Sequence, residues 1–123
     1  MNQEVSVVVR ETERCTFVHL RGDVTKQAED ALLGARPWQD GLEGGKRRLV
    51  VDFTEVPYVN SAGIAVLIRL VRLGLKSGFR TFAYGVNAHY QKLFRMVGLT
   101  EYMAIYPDEY AVLQRIEEEE EEA

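Results

Sequence analysis

The residues best placed to do chemistry are Asn60, Ser61, Ala62 and Gly63, which lie between the apolar run Leu49-Val50-Val51-Asp52-Phe53 and a long apolar stretch starting at Ile64. An Asn-Ser pair at the mouth of a helix meets unpaired backbone N–H groups and the positive end of the helix macrodipole. A phosphoryl group on the Ser61 hydroxyl is stabilised in such a place, with Gly63 allowing close backbone approach. The same residue types also serve as N-caps, whose side-chain oxygen accepts a hydrogen bond from an orphan N–H. Spacing alone leaves both roles open: Ser61 as a phospho-acceptor, and Asn60 or Ser61 as a cap.

Other reactive residues offer less. His19 and His89 fall in separate elements with no motif around either. There is no Gly-x-Ser-x-Gly elbow, no phosphate-binding P-loop and no dinucleotide fingerprint, so the reading is of a protein that is not an enzyme. Asp52 ends a central strand, where a receiver domain carries its phospho-accepting Asp, but the acidic pair that would hold Mg²⁺ is missing from the first strand. Cys15 is the single cysteine, which excludes an internal disulfide, and no Cys/His cluster offers a zinc site. Trp38, Tyr58 and Tyr84 could line a pocket, although aromatic residues at strand ends and in loops more often pack. No cofactor is called for.

The elements that must position Ser61 are short and alternate in type. Val5, Val7 and Val9 suit a half-buried strand, and Cys15–Arg21 a second one closing an antiparallel hairpin. Thr25 is placed to cap a helix to about Ala35, with Ala28, Ala31, Leu32 and Leu33 facing inward. Pro37 and the glycines at 41, 44 and 45 mark a loop, and Leu49–Phe53 reads as a covered central strand. The segment Ser61–Lys76 reads as a helix closed by Gly78. Its many apolar residues leave a narrow polar stripe of Arg69, Arg72 and Lys76, so more than one face must be covered, by a neighbouring helix or by a partner protein. A strand Phe79–Tyr84, a helix Ala88–Val97, a strand Tyr102–Ile105 and a final helix capped by Asp108 follow, the last with Tyr110, Val112, Leu113 and Ile116 as packing residues. The expected fold is α/β: a small mixed sheet, hairpin first and then mostly parallel, with about four helices mainly on one face.

With 123 residues, 46% hydrophobic and 28% charged, the chain has the make-up of one globular domain, expected over residues 1–116. No apolar run is long enough to span a membrane, and the start lacks a basic region before an apolar stretch, so a cytoplasmic protein is expected. The net charge of −4 argues against nucleic acid as the partner. Six of the acids are Glu117–Glu122, and without them the charge becomes +2. Crowded like charges at a helix C-terminus oppose the macrodipole, so residues 117–123 are expected to form a disordered acidic tail.

A strand ending in Asp52-Phe53, a short turn, Asn60-Ser61-Ala62-Gly63 and a long apolar helix together resemble the signature of bacterial STAS domains. Arg21-Gly22-Asp23-Val24 is similar to that family's Gly-Glu-Leu turn after the second strand. Gly78-Phe79-Arg80 resembles the break before its fourth strand, and Phe94-Arg95-Met96-Val97-Gly98-Leu99 its Leu-Leu-Gly-Leu-like helix end. The resemblance runs from about residue 4 to 116. It implies the function of an anti-sigma factor antagonist. In that type, the serine after the acidic residue is phosphorylated by a histidine-kinase-like serine kinase that is also the anti-sigma factor, and phosphorylation breaks their contact. By position, the acceptor is Ser61 and the partner-binding residues are Asp23, Thr25, Asn60, Ser61, Ala62, Gly63 and Arg69. Two positions depart from the pattern: Asn60 stands where the family usually has Asp, and Thr25 where an Asp often closes the turn. The alternative implied by the resemblance is a non-phosphorylated binding module of a stressosome-like scaffold or of a lipid- or anion-transporter complex.

Overall fold

In a computed structural model that describes residues 4–122, the strands form one sheet ordered β1 (Ser6–Glu11), β2 (Thr16–Arg21), β3 (Arg48–Glu55), β4 (Arg80–Tyr84) and β5 (Met103–Tyr106). β1 and β2 are an antiparallel hairpin, and every later neighbour is parallel. The central strand needs apolar groups on both sides, and its sequence supplies them. Leu49, Val51 and Phe53 enter one core while Val50 enters the other, beside Phe17 and Phe82. β1 is less buried than its valines suggest. Val5 is buried, but Val8 and Val9, on opposite faces, are exposed, because β1 is an edge strand.

The larger core is closed by α1 (Ser61–Ser77) and α2 (Ala88–Met96). On α1, Gly63, Val66, Leu67, Leu70, Val71 and Gly74 recur at helical spacing and are buried. Burying each of the large side chains among them stabilises the fold by about 1.5–3 kcal/mol. The second apolar face of α1 is met within the chain by the segment Glu29–Leu33 and by the turn Trp38–Asp40. Trp38 is 1% exposed and donates its indole N–H to the Leu32 carbonyl at 2.8 Å. That bond uses a carbonyl which a continuing helix would need. Instead of a helix from Thr25 to Ala35, the chain makes tight turns and then a wide, five-residue helical segment, Glu29–Leu33, that seats Ala28 and Leu32 in the core. Ala31 and Leu33 pack only partly.

The other face of the sheet carries α3 (Glu109–Glu122), so one helix lies opposite the rest. Asp108 caps it, accepting from the Ala111 N–H at 2.9 Å. Val112 and Ile116 are fully buried, but Tyr110 and Leu113, expected to pack, are exposed. The acidic run also differs from expectation: it continues α3 as helix through Glu122. The reason is electrostatic, since Glu119 sits 3.2 Å from Arg48 and 3.4 Å from Arg80, and Glu120 lies 3.1 Å from Arg14.

Candidate functional site

β3 hands the chain to α1 through a five-residue turn in which Val56 and Val59 are buried and Tyr58 is exposed. The turn is stitched to the loop after β2. Gly22 N–H donates to the Glu55 carbonyl at 3.0 Å, Val24 N–H to Tyr58 at 2.9 Å, and Asn60 N–H to Val24 at 3.1 Å. These bonds bring Asp23 and Thr25 beside Asn60, Ser61, Ala62 and Gly63. Asp23 is buried at 8% exposure, and Thr25 is half-buried, its hydroxyl accepting from Gln27 N–H at a long 3.4 Å. Arg69 stands apart. It lies two turns further along α1 and is paired with Glu29.

The first turn of α1 shows which of the two residues caps the helix. Asn60 has extended backbone angles, and its side-chain oxygen accepts from Gly63 N–H at 2.9 Å. Asn60 is the cap. Ser61 is the first helical residue; it is exposed, and among the described residues no hydrogen bond engages its hydroxyl. The helix behind it is 17 residues long, with no acidic residue in its first turn. Its unpaired N–H groups favour negative charge at that point.

Gly63 has a different task from the one its place in the motif suggested. It is buried, and a Cβ there would stand 2.0 Å from the Val24 carbonyl oxygen. Its missing side chain lets the backbone of the loop after β2 close on α1.

Removing the Asn60 cap by substitution with alanine is expected to cost about 1 kcal/mol. Asn60→Asp is expected to stay within about 0.5 kcal/mol, because Asp caps equally well and its charge favours the helix N-terminus. Urea denaturation midpoints of the two variants check both.

A second polar group, not legible in the sequence, lies on the α3 face. His19, Asp52 and Tyr84 stand side by side in the register of β2, β3 and β4. His19 Nδ1 is 2.7 Å from Asp52 Oδ2, and its Nε2 accepts from Arg10 Nε at 3.1 Å. Asp52 Oδ1 accepts from the Thr54 N–H at 2.8 Å and from its hydroxyl at 2.5 Å, while Tyr84 donates to Glu109 on α3 at 3.2 Å. Both ring nitrogens of His19 are therefore engaged, which leaves it no free position as a base.

Burial pushes the Asp52 carboxyl up, but the hydrogen bonds from Thr54 and His19 outweigh it and hold it below the usual carboxylate range. Burial, with the nearby Asp52 and Glu109 carboxylates, raises the Tyr84 phenol well above its ordinary value. A depressed folded-state pKa adds stability above the unfolded value, and that stability is lost as pH falls through the folded one. Asp52→Asn is therefore expected to be less stable than the parent at pH 7, with the difference shrinking below about pH 4. Denaturation at pH 7 and at about pH 2 checks it.

The remaining candidates are dispersed. Trp38 belongs to one core and Tyr84 to the other, so the aromatic residues do not share a pocket. Cys15 is fully buried, which pushes its thiol pKa up. Among the described residues no group of three His, Cys, Asp or Glu side chains is placed to hold a metal ion, and no helix is long and apolar enough to cross a membrane.

A family model described as "Mlab, STAS domain" matches residues 7–107. Among solved structures, the chain is similar to an anti-sigma factor antagonist from Mycobacterium paratuberculosis, with 20% identity, a TM-score of 0.71, and coverage of 92% of this chain and 94% of that one. It is also similar to the Bacillus cell fate determinant SpoIIAA in its phosphorylated form, with 17% identity, a TM-score of 0.65, and coverage of 89% and 98%. A third likeness is to the murine anion transporter Solute Carrier 26 family member A9, with 13% identity and a TM-score of 0.69; it covers 93% of this chain but 22% of the transporter. No protein with a curated description matches significantly.

Proposed function

The chain belongs to the STAS domain family, and on that premise we propose that it is a cytoplasmic bacterial regulatory domain of the anti-sigma factor antagonist type. It binds a histidine-kinase-like serine kinase that doubles as an anti-sigma factor, and phosphorylation of Ser61 releases it. It does no catalysis of its own. The observation that carries this reading is the division of labour at the helix mouth. Asn60 does the capping, so the exposed Ser61 hydroxyl is left for a kinase, at the end of α1 where a phosphate is favoured.

The departure at position 60 leaves the serine of this reading intact. Asn keeps the capping oxygen while removing a carboxylate that would repel a phosphate on Ser61. The partner surface is the outward side of the first turn of α1, with Ser61 and Ala62 exposed and the Asp23–Thr25 loop beside them. Arg69 extends it along the helix and must exchange Glu29 for any acid the partner offers.

A constitutive binding module is the second reading. It is favoured by Asn60 itself and by the likeness to an anion transporter's structure. Intact mass and peptide mapping of the protein from its own cells distinguish the two. One phosphoryl group on Ser61, absent from a Ser61→Ala variant, is expected. No phosphate under growth, starvation or stress would leave the constitutive module.

A further inference from the structure

At the other end of β3 from Ser61, the starts of β3 and β4 place Arg48 and Arg80 directly across from each other. With Arg47 and Phe79 they line a cavity of about 310 Å³ whose wall includes Glu119. Glu119 accepts from Arg48 and Arg80, and Glu120 lies 3.7 Å from Arg48 and 3.1 Å from Arg14. Arg48 and Glu119 are the enclosed members, with side chains 18% and 16% exposed.

Guanidinium groups gathered this closely repel one another unless an anion sits among them. The anion present is the chain's own, and it is weakly attached. Ile116 is the last buried residue of α3, so no apolar side chain anchors residues 117–122, whose side chains are held by ion pairs with the cleft arginines and, within the helix, with Arg115. Left to itself, that run is a poor helix: glutamates four apart repel, and all of them oppose the macrodipole. Arg115 offsets part of that repulsion from within the helix, and the arginines of the sheet add exposed or half-exposed contacts of a kind that yields to a competing carboxylate.

We propose that the cleft of Arg47, Arg48 and Arg80, with Arg14 flanking it through their shared partner Glu120, is a second binding site, for a glutamate- or aspartate-rich segment of a partner protein, and that Glu119 and Glu120 are its built-in competitor. The site lies at the pole opposite Ser61, so both can be occupied at once. An incoming acidic segment displaces the end of α3 and leaves the core of the helix, Val112 and Ile116, in place.

The test is fluorescence anisotropy on the full chain with a labelled twelve-residue peptide carrying six consecutive glutamates. A matching glutamine peptide, a twelve-nucleotide oligothymidylate and inorganic pyrophosphate are the comparators. The double variant Glu119→Gln/Glu120→Gln is expected to bind the glutamate peptide about tenfold more tightly than the unsubstituted chain, with affinity falling as salt rises. Adding Arg48→Gln and Arg80→Gln to that variant is expected to remove the binding. Circular dichroism verifies folding, and Arg80→Glu alone, at an exposed side chain, serves if the larger set does not fold. Equal binding with and without Glu119 and Glu120, binding that survives the arginine substitutions in a folded variant, or preference for the oligonucleotide or pyrophosphate would each overturn the proposal.

Discussion

Gly63→Ala is expected to destabilise the domain by about 3 kcal/mol, near the upper end of what overpacking a core costs. The new methyl would stand 2.0 Å from the Val24 carbonyl oxygen and 2.6 Å from its carbon, with the Val24 side chain 3.0 Å away. A flexible side chain could swing aside, but backbone held by hydrogen bonds at Gly22, Val24 and Asn60 cannot do so without breaking them. The loop must therefore lift from α1, losing those bonds and displacing Val24, which is fully buried. Gly78→Ala supplies the contrast. Gly78 closes α1 with a φ of +89°, and a Cβ there meets nothing within 4 Å, so the cost is the left-handed conformation alone, about 1 kcal/mol. Thermal melts are expected to place the Gly63 variant far below the Gly78 variant. Equal melting temperatures would mean that the loop after β2 does not clamp the helix mouth.

Phosphorylation of Ser61 is expected to weaken binding to the serine kinase about a hundredfold or more while leaving the fold slightly more stable. The two signs separate because they arise in different places. Within the domain, the phosphate sits at the N-terminus of a long helix, with no acidic residue in the first turn and a neutral cap beside it, which is worth about 0.3–1 kcal/mol of stabilisation. In the complex, a dianion enters an interface that must either match it with Arg or Lys or lose the cost of its desolvation. A loss of about 2.7 kcal/mol gives the hundredfold change. No change of shape is needed, because the exposed hydroxyl has no partner in the fold to give up. Calorimetric titration of the phosphorylated and unphosphorylated forms into the kinase, with a thermal melt of each, measures both signs. Unchanged affinity would leave Ser61 without a switching role, and Ser61→Ala should bind like the unmodified protein.

The parts of this protein that were legible in its sequence are those whose causes are local. The apolar run around Val50 marks a covered strand because its neighbours along the chain are apolar too. The helix of Ser61 could be located at both ends, since Asn60 offers a capping oxygen and Gly78 accepts a left-handed backbone. Likewise, Asp108 after Pro107 marks the start of α3. The helix mouth at Ser61 is legible for the same reason, since a cap and a helix start are a matter of a few consecutive residues.

What the chain order could not carry are contacts across it. Asn60 and Ser61 are both able to cap, and only the folded turn aims the Asn60 oxygen at Gly63 N–H. Gly63 reads as room for a ligand until the loop after β2 is seen lying against it. His19, Asp52 and Tyr84 come together through strand register, which leaves no trace in their spacing of dozens of residues. Taken alone, the glutamate run is a frayed tail, because like charges at a helix end repel; arginines from the hairpin turn and from β3 and β4, brought to the same corner by the sheet, reverse that outcome. Periodicity, caps and composition thus determined the strands, the helix α1 and where Ser61 stands, but not the turns of residues 25–35 or the end of α3. Tertiary packing decided which groups touch, because electrostatics and steric fit act through space and not along the chain.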